Sequence, residues 1–176
     1  NGTASVAALG GDVVTVGGIG SGTFANKNVG NGKAVTVTGY TLGGADAGNY
    51  TVVQPTAVTA NITPASLTVT GVSANNKVYD ATTAATLGGT AAVTALAGDV
   101  VTVGGGTGTF ANKNVGNGKA VTATGYTLGG ADAGNYTVVL PTGLTANITP
   151  ASLTVTGVGA NNKVYDTTTA ATLTGT

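Results

Sequence analysis

The sequence predicts an all-β chain, built as tandem immunoglobulin-like β-sandwich domains. Three observations carry that expectation. Val and Thr alternate in short runs broken by Gly-rich turns, a two-residue period that suits strands, and no segment sustains helical periodicity. The stretch Gly43-Gly44-Ala45-Asp46-Ala47-Gly48-Asn49-Tyr50-Thr51-Val52-Val53 recurs letter for letter at 129–139. Its Asp-x-Gly-x-Tyr core has the spacing of a tyrosine corner, in which the phenol hydroxyl bonds back to upstream backbone as the chain enters a late strand. Third, residues 22–90 match residues 108–176 at an offset of 86, and 3–18 match 90–105 at an offset of 87. A period of that length suits a whole small domain rather than a solenoid coil.

Within 65–150 the strands are expected at 67–72, 77–79, 84–87, 91–96, 100–103, 109–110, 120–128, 136–140 and 144–148. Leu67 and Val69 alternate with Thr68 and Thr70, and Leu144, Ala146 and Ile148 alternate with Thr145 and Asn147. Apolar faces therefore turn inward and Thr faces turn to water. Val35 and Val37 share one face, whereas Tyr40 and Leu42 lie on the other. A bulge or kink is predicted where the face switches, at Gly39 and equally at Gly125. The one-residue slip between copies falls in Gly17–Gly22 against Gly104–Gly108, which reads as a Gly-rich turn that tolerates an insertion.

Asn61-Ile62-Thr63-Pro64-Ala65 and its copy at 147–151 mark the boundaries, because Pro fixes its own φ and lacks a ladder donor. This gives residues 1–64 as the C-terminal part of a repeat without its first strands, 65–150 as a complete repeat, and 151–176 as the N-terminal strands of the next. Two expectations follow from these fragments: the chain is a window from a longer array, or neighbouring molecules complete each other by strand donation. Seven positions differ between the copies over 22–90, of which Gln54 against Leu140 is the one polar-to-apolar change, and an inter-domain or inter-chain contact is expected there.

Six Lys and six Asp carry all the side-chain charge, and the chain has no Arg, Glu, His, Cys, Met or Trp. At 7% charged residues and zero formal charge, nothing in the electrostatics favours nucleic acid or an anionic membrane. No apolar run reaches spanning length. The lack of Cys suits a reducing compartment or a fold that manages without disulfides, and the lack of both Cys and Met also suits a surface protein exposed to variable redox conditions.

The residue types exclude the usual catalytic groupings. Hydrolytic mechanisms require a base beside the nucleophile, paired carboxylates or a metal, and three widely spaced Asp per repeat supply none of these. No catalytic, cofactor-binding or metal residue is assigned, and no enzyme activity is expected. Asp46 and Asp132 are the candidates for a calcium ion, but such an ion takes six to eight oxygens and there is no Asp-x-Asp pattern. A turn-forming role accounts for them with fewer assumptions. A Lys–Asn isopeptide bond has candidates in Lys77 with Asn75 or Asn76 and Lys27 with Asn26 or Asn28, with Asp80 or Asp46 as the buried acid. Those pairs are too close in sequence to bridge strands, which leaves a cross-strand Lys–Asn pair beside one of these Asp, and Lys snorkelling or bonding a turn carbonyl is the simpler reading. Asn-x-Thr triplets at Asn1, Asn49, Asn61, Asn135 and Asn147 match a glycosylation sequon, and Thr36/Thr38 and Thr68/Thr70 form hydroxyl rows. Both patterns also follow from an Asn- and Thr-rich alphabet on outward-facing strand positions.

Four motifs in order resemble the YDG repeat and the related MBG domain. They are Leu-Thr-Val-Thr-Gly-Val-x-Ala-Asn-Asn-Lys-Val-Tyr-Asp at 67–80 and 153–166, Gly-Thr-Phe-Ala-Asn-Lys-Asn-Val-Gly at 22–30 and 108–116, Gly-Ala-Asp-Ala-Gly-Asn-Tyr at 44–50 and 130–136, and Ala-Asn-Ile-Thr-Pro at 60–64 and 146–150. The family's Gly after Tyr-Asp is replaced by Ala81 and Thr167. The resemblance implies β-sandwich repeats in large bacterial surface proteins, including filamentous-haemagglutinin-like adhesins, and carries no catalytic residues. The expected function is a structural repeat of an extracellular fibre, stalk or adhesin that extends or links cells. Its expected partners are itself, end to end, and a host or neighbouring-cell surface. Two other readings stand beside it: a filament subunit joined by strand donation, and a ligand-binding module using loops such as Gly17–Gly22 or Ala111–Gly118.

Overall fold

A computed structural model describes residues 3–175, and these are all strand, turn and short 3-10 segments. Asn1, one of the sequon positions, lies outside the described residues. The strands are β1 (Thr15–Phe24), β2 (Gly30–Gly43), β3 (Thr59–Ile62), β4 (Ala65–Thr68), β5 (Thr70–Ala74), β6 (Lys77–Val78) and β7 (Ala84–Ala85). They continue as β8 (Leu87–Ala92), β9 (Thr102–Phe110), β10 (Gly116–Gly129), β11 (Tyr136–Val139), β12 (Thr145–Thr149), β13 (Gly159–Ala160) and β14 (Leu173–Thr174). Two compact units result. One is drawn from Asn1–Gly71, Ala91–Gly105 and Tyr126–Leu140, the other from Val72–Thr90, Gly106–Gly125 and Pro141–Thr176. This division follows neither the sheets nor the repeats, because β9 and β10 each give residues to both units.

In the first unit β1, β2 and β3 form an antiparallel sheet in that order. The β1–β2 register runs from Thr15↔Gly43 to Phe24↔Val35 and slips between Gly18 and Ser21, opposite Gly39. Gly39 sits at φ 89°, and a Cβ there would stand 2.5 Å from the Ile19 carbonyl oxygen, so the predicted bulge needs glycine. The burial pattern switches face at that point: Val35 and Val37 are half-buried, then Tyr40 and Leu42. Gly125 takes a similar φ of 77°.

The Gly-rich segment at 17–22 is not the expected turn. β1 runs straight through it, and β9 runs through 104–108, joining the separate strands expected at 100–103 and 109–110. The glycines serve the neighbouring strand instead: a Cβ on Gly20 would lie 2.4 Å from Tyr40 Cζ, so the ring lies across bare backbone. The strand expected at 67–72 is two pieces, β4 and β5, parted at Val69. The strand expected at 91–96 begins early, as β8, and ends at Ala92.

β4 lies parallel to β11, with Tyr136↔Ala65, Val138↔Leu67 and Val139↔Thr68 paired, and Val69 N–H donates to the Val139 carbonyl at 2.9 Å. Leu67, Val69, Tyr126 and Tyr136 are buried in this unit. In the second unit the sheet order is β6-β12-β10-β9-β7. Its core is Phe110, Val121, Ala146 and Ile148, with Tyr79, Leu87 and Leu144 packed around. The Lys77 ammonium sits 5.6 Å from the centre of the Phe110 ring.

Equivalent residues have unequal surroundings. Phe110, Val121, Tyr126, Tyr136 and Ile148 are buried, while Phe24, Val35, Tyr40, Tyr50 and Ile62 are half-buried. Tyr50–Val53 has the letters of β11 yet is not a strand, and none of the described residues pairs with it as β4 pairs with β11. Leu153 and Val155, the copies of Leu67 and Val69, are 95% and 84% exposed.

Candidate functional site: the seam between repeats

Only Thr63 and Pro64 separate β3 of one repeat from β4 of the next. Pro64 cannot extend the β3 ladder and biases Thr63 toward an extended backbone, so the junction is short and stiff. The contacts across this seam all lie within the first unit.

Each tyrosine corner forms in the same way. Tyr136 Oη donates to Asp99 Oδ2 at 2.7 Å and accepts from the Leu96 N–H at 3.2 Å. In the other copy Tyr50 Oη donates to Asp12 Oδ2 at 2.7 Å and accepts from the Leu9 N–H at 3.1 Å. The expected bond from phenol to upstream backbone is present, and a carboxylate joins it. Asp12 and Asp99 were not singled out in the sequence, although a signal exists. Each closes a Leu-x-Gly-Asp turn, with Gly11 and Gly98 at φ 92° and 89° and the Asp N–H bonded to the Leu carbonyl at 3.1 Å. The Asp of the corner motif does different work: Asp132 Oδ2 accepts from the Val100 N–H at 2.8 Å, and Asp46 Oδ2 from the Val13 N–H at 2.8 Å. Both tie the turn to the strand-forming stretch upstream.

The first repeat reaches onto this corner of the second. Lys27 Nζ pairs with Asp99 and lies 3.9 Å from Asp132 Oδ1, and the Val29 N–H donates to Asn135 Oδ1 at 2.9 Å. The Asp99 side chain is only 9% exposed, so its charge needs these donors. The Lys27 ammonium first, and the Tyr136 hydroxyl second, hold the Asp99 carboxyl below its ordinary range. The hydrogen bond to Asp99 raises the Lys27 ammonium, and the same carboxylate, with burial, raises the Tyr136 phenol. The three groups form one network, phenol to carboxylate to ammonium, spanning two repeats.

The other sequence candidates are placed as follows. Lys77 Nζ donates to Asp80 Oδ1 at 2.7 Å, to the Thr82 carbonyl at 2.9 Å and to the Ala84 carbonyl at 2.9 Å. Its partners are a turn's oxygens, while Asn76 Oδ1 accepts from the Asn147 N–H at 2.7 Å. Asp80 is pulled down to about 2, chiefly by Lys77 and then by the Thr82 N–H and hydroxyl. Asn26 Oδ1 accepts from Lys33 Nζ and from the Asn28 N–H, so Lys27 and its sequence neighbours are not brought together. Asn61 and Asn147 accept from the N–H groups of Gly32 and Gly118 at 2.8 and 2.7 Å. Thr36, Thr38, Thr68 and Thr70 are exposed. Gln54 makes its contact within its own repeat: Nε2 donates to the Tyr40 carbonyl at 2.8 Å, and Oε1 accepts from the Tyr40 N–H at 3.2 Å. Among the described residues no three Asp come together.

The profile of the YDG domain matches two stretches, residues 1–58 and 63–145. No curated protein and no solved structure matches the chain. The two matched stretches cover most of the sequence and include both copies of the tyrosine corner and of the Lys27 and Lys113 loops, and the chain belongs to the YDG domain family.

Proposed function

We propose that the chain is a structural segment of an extracellular bacterial fibre, stalk or adhesin, in which immunoglobulin-like β-sandwich repeats stand head to tail and transmit tension. The observation that carries this reading is the seam. A two-residue junction, an ion pair and an amide hydrogen bond tie one repeat to the next, and the parallel β4–β11 pair closes the second repeat between its first strand and a late one. In a parallel pair, force entering at the start of β4 and leaving at the end of β11 slides the strands along each other. Their hydrogen bonds are then loaded together rather than one by one. A segment of this kind needs no cofactor, and its partners are its own neighbours and the surface on which the fibre ends.

The loops favour this reading over a ligand-binding one. Gly17–Gly22 is strand interior, and the two copies of the 25–29 and 111–115 loops are letter-identical. Single-molecule pulling on the chain tests the proposal. The expected trace shows a discrete rupture that moves to lower force in Leu67→Asp, which breaks the β4 bed. A featureless extension at low force, unaltered by that substitution, refutes it.

A further inference from the structure

We propose that Asn31 and Asn117 are sites of spontaneous covalent modification, deamidation through a cyclic imide, and that the side chains of Asn61 and Asn147 gate the reaction. Three Asn in the chain precede a Gly: Asn1, outside the described residues, and the pairs Asn31-Gly32 and Asn117-Gly118. In such a pair no side chain shields the Gly nitrogen from the side-chain carbonyl carbon before it. Gly118 N attacks Asn117 Cγ, the Cγ–Nδ2 bond breaks, and Nδ2 leaves with the amide proton as ammonia. Water then opens the five-membered ring at either carbonyl, leaving Asp or its β-linked isomer at 117. Each event adds one negative charge to a chain whose formal charge is zero.

The fold both selects the labile pair and guards it. The β10–β12 register slips between Gly116 and Lys119, so Asn117 and Gly118 face Asn147 alone; β2 slips likewise between Gly30 and Lys33, opposite Asn61. Gly118 and Gly32 have φ of 57° and 58°, whereas a Cβ on either would meet no neighbour. Backbone angle, not space, therefore calls for glycine after each Asn. Asn31 and Asn117 are exposed, and water reaches both. The guard is the bond on the attacking nitrogen. The Gly118 N–H donates to Asn147 Oδ1 at 2.7 Å, and the Gly32 N–H donates to Asn61 Oδ1 at 2.8 Å. While that bond stands, the proton that must leave is engaged and the nitrogen is pinned to the neighbouring strand. Asn147 is held in turn, its own N–H bonded to Asn76 Oδ1 at 2.7 Å.

Incubating the chain for weeks in mildly alkaline buffer, with peptide mapping by mass spectrometry and an isoaspartate-specific methylation assay, tests the inference. Each event reads as a gain of about 1 Da in the peptide holding Asn31 or Asn117. Both sites should react slowly in the folded chain and about 10-fold faster or more in urea, where the gates are gone. Asn147→Ala should speed Asn117 about 3- to 10-fold, the factor one ordinary hydrogen bond withholds, and leave Asn31 at its own rate. Asn147→Asp keeps an acceptor oxygen and keeps Asn117 slow. Should Asn147→Ala unfold by circular dichroism, Asn61→Ala gives the same test at Asn31, with Asn117 as its control. Equal rates in the folded and unfolded chain overturn the inference. So does a folded Ala variant whose facing Asn is no faster, or one in which both sites accelerate alike. None of these results touches the stalk reading, which rests on the seam.

Discussion

Phe24 and Phe110 occupy the same place in the same motif, and truncating each to alanine should give very different losses. Phe110 is 1% exposed, packed with Val121, Ala146 and Ile148 and capped by the Lys77 ammonium. A buried phenylalanine removes roughly 150–250 Å² from water, which at ~25 cal/mol/Å² gives about 4–6 kcal/mol as an upper bound. Measured Phe→Ala losses of about 3–5 kcal/mol include the cavity left behind. Phe24 is half-buried, and among the described residues no strand lies over it as β6 lies by Phe110, so Phe24→Ala should cost about 1–2 kcal/mol.

Thermal denaturation together with hydrogen exchange separates the two sites. Phe110→Ala should lower the melting midpoint by roughly 15–30 °C for a unit of this size and open the amides of β10 and β12. Phe24→Ala should shift β2 and β3 modestly and leave β10 and β12 protected. Equal losses, or a larger loss at Phe24, would show that the covering strands do not create the difference, and the reasoning fails.

Three further outcomes are expected. The stability contributed by Asp99 and Asp80, whose carboxyls are depressed (Asp80 to about 2), is complete above their unfolded pKa near ~4 and is lost as pH falls through the folded values. That contributed by Lys27 and Tyr136, both raised, is complete below ~10 and lost as pH rises; with no His or Cys, a melting profile should be flat from about pH 5 to 9 and fall at both ends. Ala81 holds a left-handed φ of 65°, so Ala81→Gly should relieve strain and gain about 0.5–1 kcal/mol in urea unfolding, where a conformationally neutral site would lose stability. Gln54→Leu, the residue at 140, should cost about 1–3 kcal/mol and speed exchange at the Tyr40 amide, because both polar groups of Tyr40 lose their partner.

The period, the tyrosine corner and the bulge at Gly39 were legible because each depends on residues near in sequence or on an alternation that any strand must obey. The Gly-rich segments misled for a physical reason. Glycine permits a turn, but it equally lets an aromatic ring lie against a strand, and only the Tyr40 ring, paired through its backbone with Gly18 and lying across Gly20, decides between them. Asp99 escaped notice because its role depends on Tyr136, 37 residues later, and on Lys27, 72 residues earlier. A charge whose partners lie in two repeats looks, in sequence, like any Asp in a turn. The contact expected at Gln54 was assigned across an interface because the copies differ there. The side chain instead mimics a strand, pairing with both backbone groups of Tyr40.

Tyr50–Val53 and Tyr136–Val139 share every letter, yet one is extended coil and the other a strand. Local propensity is the same in both, so it cannot be what decides. The difference is β4, the first strand of the same repeat, which lies along β11. A strand bed without its strand loses the ladder bonds and the burial of two apolar side chains together, and the bed itself then stops being regular. Loss of β4 therefore weakens the repeat that contains it more than the one before it. Leu67→Asp should accordingly deprotect Val138 and Val139 in β11 while β1 and β2, in the preceding repeat, retain their exchange protection.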